Sequence, residues 1–116
     1  MTPLVVLGGT FDPVHVAHLV LGECARVQFG AERVVFLPAG DPYRKTGTGG
    51  RGAGPGGSAV REVTAAEHRL AMLRLAVAGN ERFEADDREV RRGGPTYTID
   101  TLTELHAEGV RDIVLI

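Results

Sequence analysis

The sequence predicts an α/β fold, a doubly wound parallel sheet, and three observations carry that expectation. Short apolar runs alternate with stretches of helical periodicity along the chain. Two of the runs, Leu4–Leu7 and Ile113–Ile116, are apolar at every position, as strands covered on both faces are. A Gly8-Gly9 turn joins the first run directly to the first helical stretch. The length of 116 residues suits a single domain, residues 1–116, with one core.

The elements follow in order. Leu4–Leu7 is the first strand, ended by the two glycines. From His15 to Gly30 the residues Ala17, Leu21, Cys24 and Val27 recur at helical spacing. They predict a helix with that stripe in the core and Cys24 acting as a small hydrophobe. Gly22 inside it costs about 1 kcal/mol relative to alanine, so packing must hold this helix. Arg33–Leu37 is the second strand, stopped by Pro38.

Seven of the sixteen glycines then fall within Thr46–Gly57. Such a stretch has few side chains to bury and much entropy to lose, so 46–60 reads as a flexible loop. It is either a plain surface insertion or a lid over a site. Thr64-Ala65-Ala66-Glu67 has the form of a capping box. It opens a second helix with the stripe Leu70, Leu73 and Val77, and Gly79 as its C′ residue. Phe83 to about Val90 is the third strand. Thr98–His106, closed by Gly109, is the third helix, and Asp112–Ile116 is the fourth strand. Right-handed crossovers place helices on both faces. The expectation is a Rossmann-like sheet, truncated after about four strands because the chain stops on a strand's last apolar residue.

Thirteen basic against fifteen acidic residues give a net charge of −2. A nucleic-acid binder carries a basic excess, so nucleic acid is not the expected partner. No apolar run approaches the roughly 20 residues of a membrane span. There is no charged-then-apolar leader, and the one cysteine forms no framework. The expectation is a cytoplasmic protein with no membrane partner. No oligomeric state follows from the sequence.

The chemistry concentrates in Gly8-Gly9-Thr10-Phe11-Asp12-Pro13-Val14-His15-Val16-Ala17-His18. This segment links the carboxyl end of a strand to a helix N-terminus, where open α/β sheets bind phosphates. It lacks the Gly-Lys-Ser/Thr of a Walker loop and the glycine spacing of a dinucleotide fingerprint. Gly8 and Gly9 let the backbone approach an anion, and Thr10 adds a hydroxyl. His15 and His18, three residues apart, share one face of the first helical turn. Two imidazoles aimed at a phosphate can stabilise charge that develops on an oxygen, without a covalent step. Asp12 is read as a turn residue, and His68 and His106 as surface or packing residues.

These residues resemble the signature of the nucleotidylyltransferases, whose HxGH element corresponds to His15-Val16-Ala17-His18, with Ala17 where glycine is usual. Downstream, Leu37–Lys45 (LPAGDPYRK) is similar to a segment of the bacterial nicotinate mononucleotide adenylyltransferases that ends in a basic residue facing the triphosphate. Thr64–Ala76 looks like their second helix. Gly94-Pro95-Thr96-Tyr97-Thr98-Ile99-Asp100-Thr101-Leu102 resembles their SYTIDTL element, which contributes to the pyridine nucleotide pocket. The resemblance implies transfer of the adenylyl group of ATP to nicotinate mononucleotide, with Mg²⁺ carried on ATP and no dedicated metal site on the protein. It assigns His15, His18 and Lys45 to catalysis, Gly8, Gly9 and Thr10 to the nucleotide, and Tyr97, Thr98 and Asp100 to the substrate. Lys45 is the only lysine in the chain. Tyr97 is read either as core or as pocket, Thr98 either as a plain N-cap or as a carboxylate receptor, and Asp100 either as orienting the helix start or as contacting substrate. Gly40 and Arg44 depart from the asparagine and histidine often found there and are assigned no role.

The family continues past the fourth strand with an aromatic residue for the ring and an arginine for the triphosphate. This amino-terminal portion alone is therefore expected to be inactive or impaired. Another nucleotidylyltransferase, such as the phosphopantetheine enzyme, would share the first motif but not the Thr96–Leu102 element. A non-catalytic nucleotide-binding fragment is the alternative of a different class. The basic cluster Arg88, Arg91 and Arg92 is read as a solvated face, with a role near the phosphates left open.

Overall fold

The computed structural model describes residues 2–40, 63–93 and 97–116. The expected loop at 46–60 and Lys45 lie outside them. Four parallel strands form one sheet: β1 (Leu4–Gly9), β2 (Val34–Pro38), β3 (Phe83–Ala85) and β4 (Ile113–Leu115), in the order β3-β2-β1-β4. The helices are α1 (Val16–Phe29), α2 (Ala66–Val77), α3 (Arg88–Arg92) and α4 (Thr98–Ala107). This is the α/β doubly wound architecture that the alternation of elements predicts.

Strand alternation divides the core into two layers. Val5, Leu7, Val34 and Phe36 face one side and pack with Ala25 of α1 and Leu73 and Val77 of α2. Leu4, Val6, Val35 and Leu37 face the other and pack with Leu105 of α4. Because β1 and β2 are central and covered on both faces, every residue from Val34 to Pro38 is buried. The same expectation fails at the other end of the chain. Strand β4 pairs only with β1 among the described residues, and Leu115 and Ile116 remain 47% and 41% exposed.

Helix α1 is rotated from the expected stripe. Leu21, Cys24 and Val27 are exposed, and Gly22 and Ala25 face the sheet instead. The cause is close approach: a Cβ at Gly22 would meet the Phe36 ring at 2.9 Å and the Val34 side chain at 3.4 Å. Small residues let the helix lie against β2, and that proximity sets its rotation. The stripe of α2 does hold, with Leu70, Leu73 and Val77 buried.

The capping box at Thr64 does not form. Ala65 is the N-cap and no side chain caps α2. Thr64 is used in tertiary bonds instead: its N–H donates to Asp12 Oδ2 at 2.9 Å, and its carbonyl accepts from Arg69. Gly79 follows the C-cap Ala78 but is not in the left-handed region. The third strand is shorter than predicted, and its last third is helix α3. The Asp86 side chain accepts the Arg88 N–H at 2.9 Å and helps to turn the chain out of β3. Among the described residues, no helix is long and apolar enough to cross a membrane.

Candidate functional site: the carboxyl edge of the sheet

The carboxyl ends of β1 and β2 and the amino ends of α1 and α4 meet on one edge of the molecule. The chain leaves β1 through Gly8 and Gly9, and Phe11 then adopts a left-handed backbone, φ 53°. A non-glycine residue there costs roughly 1–3 kcal/mol unless its surroundings hold it. Phe11 is 2% exposed. Its ring lies 3.4 Å from where a Gly9 Cβ would stand, 5.0 Å from the His18 ring centre and 6.1 Å from that of Phe36. The Phe11 ring thus packs between the Gly9 backbone and the His18 ring.

His15 and His18 come together as the spacing predicts, with ring centres 4.3 Å apart. Their roles at the helix end are reciprocal. His15 is the N-cap of α1, and its Nδ1 accepts the Ala17 N–H at 3.3 Å. His18 reaches back, its Nδ1 accepting the His15 N–H at 3.0 Å. Each ring thus spends Nδ1 on the backbone and keeps its proton on Nε2, which is left as a donor. Burial, followed by the neighbouring His15 ring, holds the pKa of His18 below the usual histidine value. The helix-end N–H groups that would otherwise attract an anion are partly consumed by the imidazoles. The ring atoms left free of these backbone bonds are the two Nε2 positions.

Beneath this loop lies a residue that the sequence reading missed. Arg69, in the first turn of α2, is 1% exposed. Its Nε donates to Thr64 O at 2.7 Å, Nη1 to Thr10 O at 2.9 Å and Ala39 O at 2.8 Å, and Nη2 to Gly40 O at 3.2 Å. A buried cation is tolerated because four carbonyl dipoles surround it. Gly40 also gains a reason: a Cβ there would stand 2.3 Å from Glu89 O of α3. An arginine three residues past the start of a helix carries no mark in the sequence that distinguishes it from a surface cation.

A cleft of about 370 Å³ opens beside Gly8 and Gly9 and is bounded by Leu37, Ala39, Glu89, Thr98 and Thr101. It brings the two glycines to the same place as Thr98, the first residue of α4. Tyr97, not Thr98, is the N-cap of α4, and no side chain caps that end. Tyr97 is 49% exposed, so it is not part of the core among the described residues. Asp100 lies in the first turn of α4, also exposed. Glu89 is buried at the base of the cleft and accepts the Thr101 hydroxyl. Burial raises its pKa above the ordinary carboxylate value.

The basic cluster does not face this edge as free charge. Arg88 pairs with Asp86, Glu104 and Glu108, Arg91 with Asp87, and Arg92 with Glu104. Among the described residues, no group of three or more His, Cys, Asp or Glu side chains could hold a metal ion.

Residues 6–116 match the cytidylyltransferase-like family. The chain is 45% identical to a probable nicotinate-nucleotide adenylyltransferase of Symbiobacterium thermophilum over 93% of its own length and 46% of that protein. It is 44% identical to proteins of the same description from Thermomicrobium roseum, covering 44% of that protein, and Mycobacterium tuberculosis, covering 41%. The chain therefore spans less than half the length of these relatives. Its fold is also that of Plasmodium falciparum nicotinic acid mononucleotide adenylyltransferase complexed with NaAD. That match has a TM-score of 0.67 at 16% identity, over 99% of this chain and 50% of the other.

Proposed function

Because the chain belongs to the cytidylyltransferase-like family, we propose that it forms the nucleotide-binding portion of a nicotinate-nucleotide adenylyltransferase acting in cytoplasmic NAD synthesis. One observation carries the reading: the His15 and His18 rings stand together at the N-terminus of α1, behind Gly8-Gly9, with each Nδ1 accepting a backbone N–H. The uncapped N-terminus of α4 shares that edge of the sheet, and the names of the relatives support the choice of a pyridine acid.

In this reaction a 5′-phosphate oxygen of nicotinate mononucleotide attacks the α-phosphorus of ATP in line. The bond from that phosphorus to the bridging oxygen breaks, giving nicotinate adenine dinucleotide and pyrophosphate. The protein has little covalent work to do, and catalysis is positioning plus stabilisation of oxygen charge. Gly8, Gly9 and Thr10 leave room and donors for phosphate. The Nε2–H groups of His15 and His18 stabilise the charge that develops as the bond breaks, and Lys45 holds the triphosphate. Tyr97, Thr98 and Asp100 form the acid-recognising end, where the N-terminus of α4 favours the nicotinate carboxylate. Mg²⁺ enters as the counterion of ATP. Among the described residues no group of three or more His, Cys, Asp or Glu side chains could hold it.

The test is kcat/KM in the full-length protein that carries this chain, with ATP–Mg²⁺ and three acceptors. Nicotinate mononucleotide should exceed nicotinamide mononucleotide roughly ten- to two-hundredfold, the worth of one charge-assisted bond that the amide cannot make. Equal values would refute the pocket, and transfer to phosphopantetheine would overturn the choice of substrate.

A further inference from the structure

We propose that Arg69 is a positioning residue for phosphate transfer: it sets the backbone of the Gly8–Phe11 loop and, through the Phe11 ring, the placement of His18. The inference rests on the phosphate role proposed for that loop. Arg69 contributes a planar fork, and its donors reach three chain crossings at once. Thr10 follows β1, Ala39 and Gly40 follow β2, and Thr64 precedes α2. These crossings converge at the carboxyl edge of the two central strands, where the Ala39 N–H also donates to Gly9 O at 2.9 Å.

A trans peptide unit points its C=O and N–H in opposite directions. With Thr10 O held on Nη1, the Phe11 N–H is turned away from the guanidinium. Among the described residues, no acceptor meets the N–H groups of Thr10 or Phe11. The same constraint fixes Phe11 at φ 53° and seats its ring 5.0 Å from that of His18. Arg69 thus acts on the reaction without touching a reactant. Lysine cannot replace it, because a compact ammonium lacks the rigid fork that spans these carbonyls.

The experiment uses the full-length protein, with inorganic pyrophosphate and ATP–Mg²⁺ as probes. In Arg69→Lys, with a cooperative melt retained, kcat should fall on the order of 10²-fold, as expected when reacting groups shift by about 1 Å. KM for the pyridine mononucleotide should stay within about threefold, since the bonds of Arg69 go to Thr10, Ala39, Gly40 and Thr64 at the other corner. A folded Arg69→Lys with kcat within about threefold of the parent overturns the proposal. A second measurement needs no variant. In the parent protein, saturating pyrophosphate should shift both the Arg69 Nε–H resonance and the His18 ring resonances. Absence of pyrophosphate binding, or unchanged resonances, overturns the proposal. A parent that binds pyrophosphate with these shifts but transfers nothing to nicotinate mononucleotide supports the role of Arg69 and refutes the proposed substrate alone.

Discussion

Two corners of the same sheet edge are built differently. At the β1–α1 corner, contacts converge from residues far apart in sequence. Arg69 ties three crossings, Asp12 accepts the Thr64 N–H, and the Phe11 ring is buried between Gly9, His18 and Phe36. At the β4–α4 corner, Tyr97, Ile99, Leu115 and Ile116 are 49%, 67%, 47% and 41% exposed. The buried polar tie there is Glu89 with Thr101. The first corner is over-determined and can hold a transition-state geometry. The second is an open helix end, which under the proposed function would select a ligand through a few contacts. Rate should therefore depend on the first corner and discrimination on the second.

The largest expected effect probes that division. In the full-length enzyme, His18→Ala should lower kcat on the order of 10²–10³-fold, the usual loss for one donor to developing charge. Steady-state pyrophosphate release checks it, with the dissociation constant of ATP changing far less. A larger fall in kcat from Thr98→Val than from His18→Ala would invert the comparison.

Packing at the first corner gives the next effect. Gly40→Ala places a Cβ 2.3 Å from a backbone carbonyl that cannot rotate away. It should destabilise by about 3 kcal/mol, the upper part of the overpacking range. Gly22→Ala meets the Phe36 ring at 2.9 Å and recovers about 1 kcal/mol of helix propensity, so its loss should be smaller. Denaturant midpoints of the two variants settle the order. At the second corner, Thr98→Val removes a hydroxyl but leaves the backbone donors. It should narrow the acid-over-amide preference by about 0.5–1.5 kcal/mol without abolishing it.

The smallest effect is on pH dependence, and it has opposite sign at the two corners. His18 has a lowered pKa, so its contribution to stability is present above its ordinary value of 6.5 and is lost as pH falls through the lowered value. Glu89 has a raised pKa, so its contribution is present below its ordinary value of 4.5 and is lost as pH rises through the raised value. Glu89→Gln keeps an acceptor for Thr101, and its Tm relative to the parent should rise with pH from about 4.5 upward. A constant difference across that window would mean that Glu89 does not titrate differently on folding.

Much of the fold was readable because periodicity and glycine punctuation are local signals. The apolar runs around Val5 and Val35 and the stripe of Leu70, Leu73 and Val77 became core elements. The buried face of α1 is not legible because its buried positions are Gly22 and Ala25, whose smallness looks like absence of signal. The capping box at Thr64 does not form because bonds to Asp12 and Arg69 outcompete a local cap. In the site, the juxtaposition of His15 and His18 follows from helical spacing. Their reciprocal N-capping is also local, over two and three residues, whereas the tie from Arg69 to Thr10 crosses 59 residues, which no spacing rule encodes.

The central claim is that the β1–α1 corner presents two Nε2–H donors to phosphate. Long-range ¹H–¹⁵N NMR of the histidine rings in the full-length protein tests it most directly, without and with pyrophosphate. Both His15 and His18 should carry the proton on Nε2 before ligand is added. Pyrophosphate should shift both Nε2–H groups while leaving the Thr98 and Ile99 amides in place. An Nδ1–H tautomer on either ring, or a response confined to the α4 amides, would contradict the account.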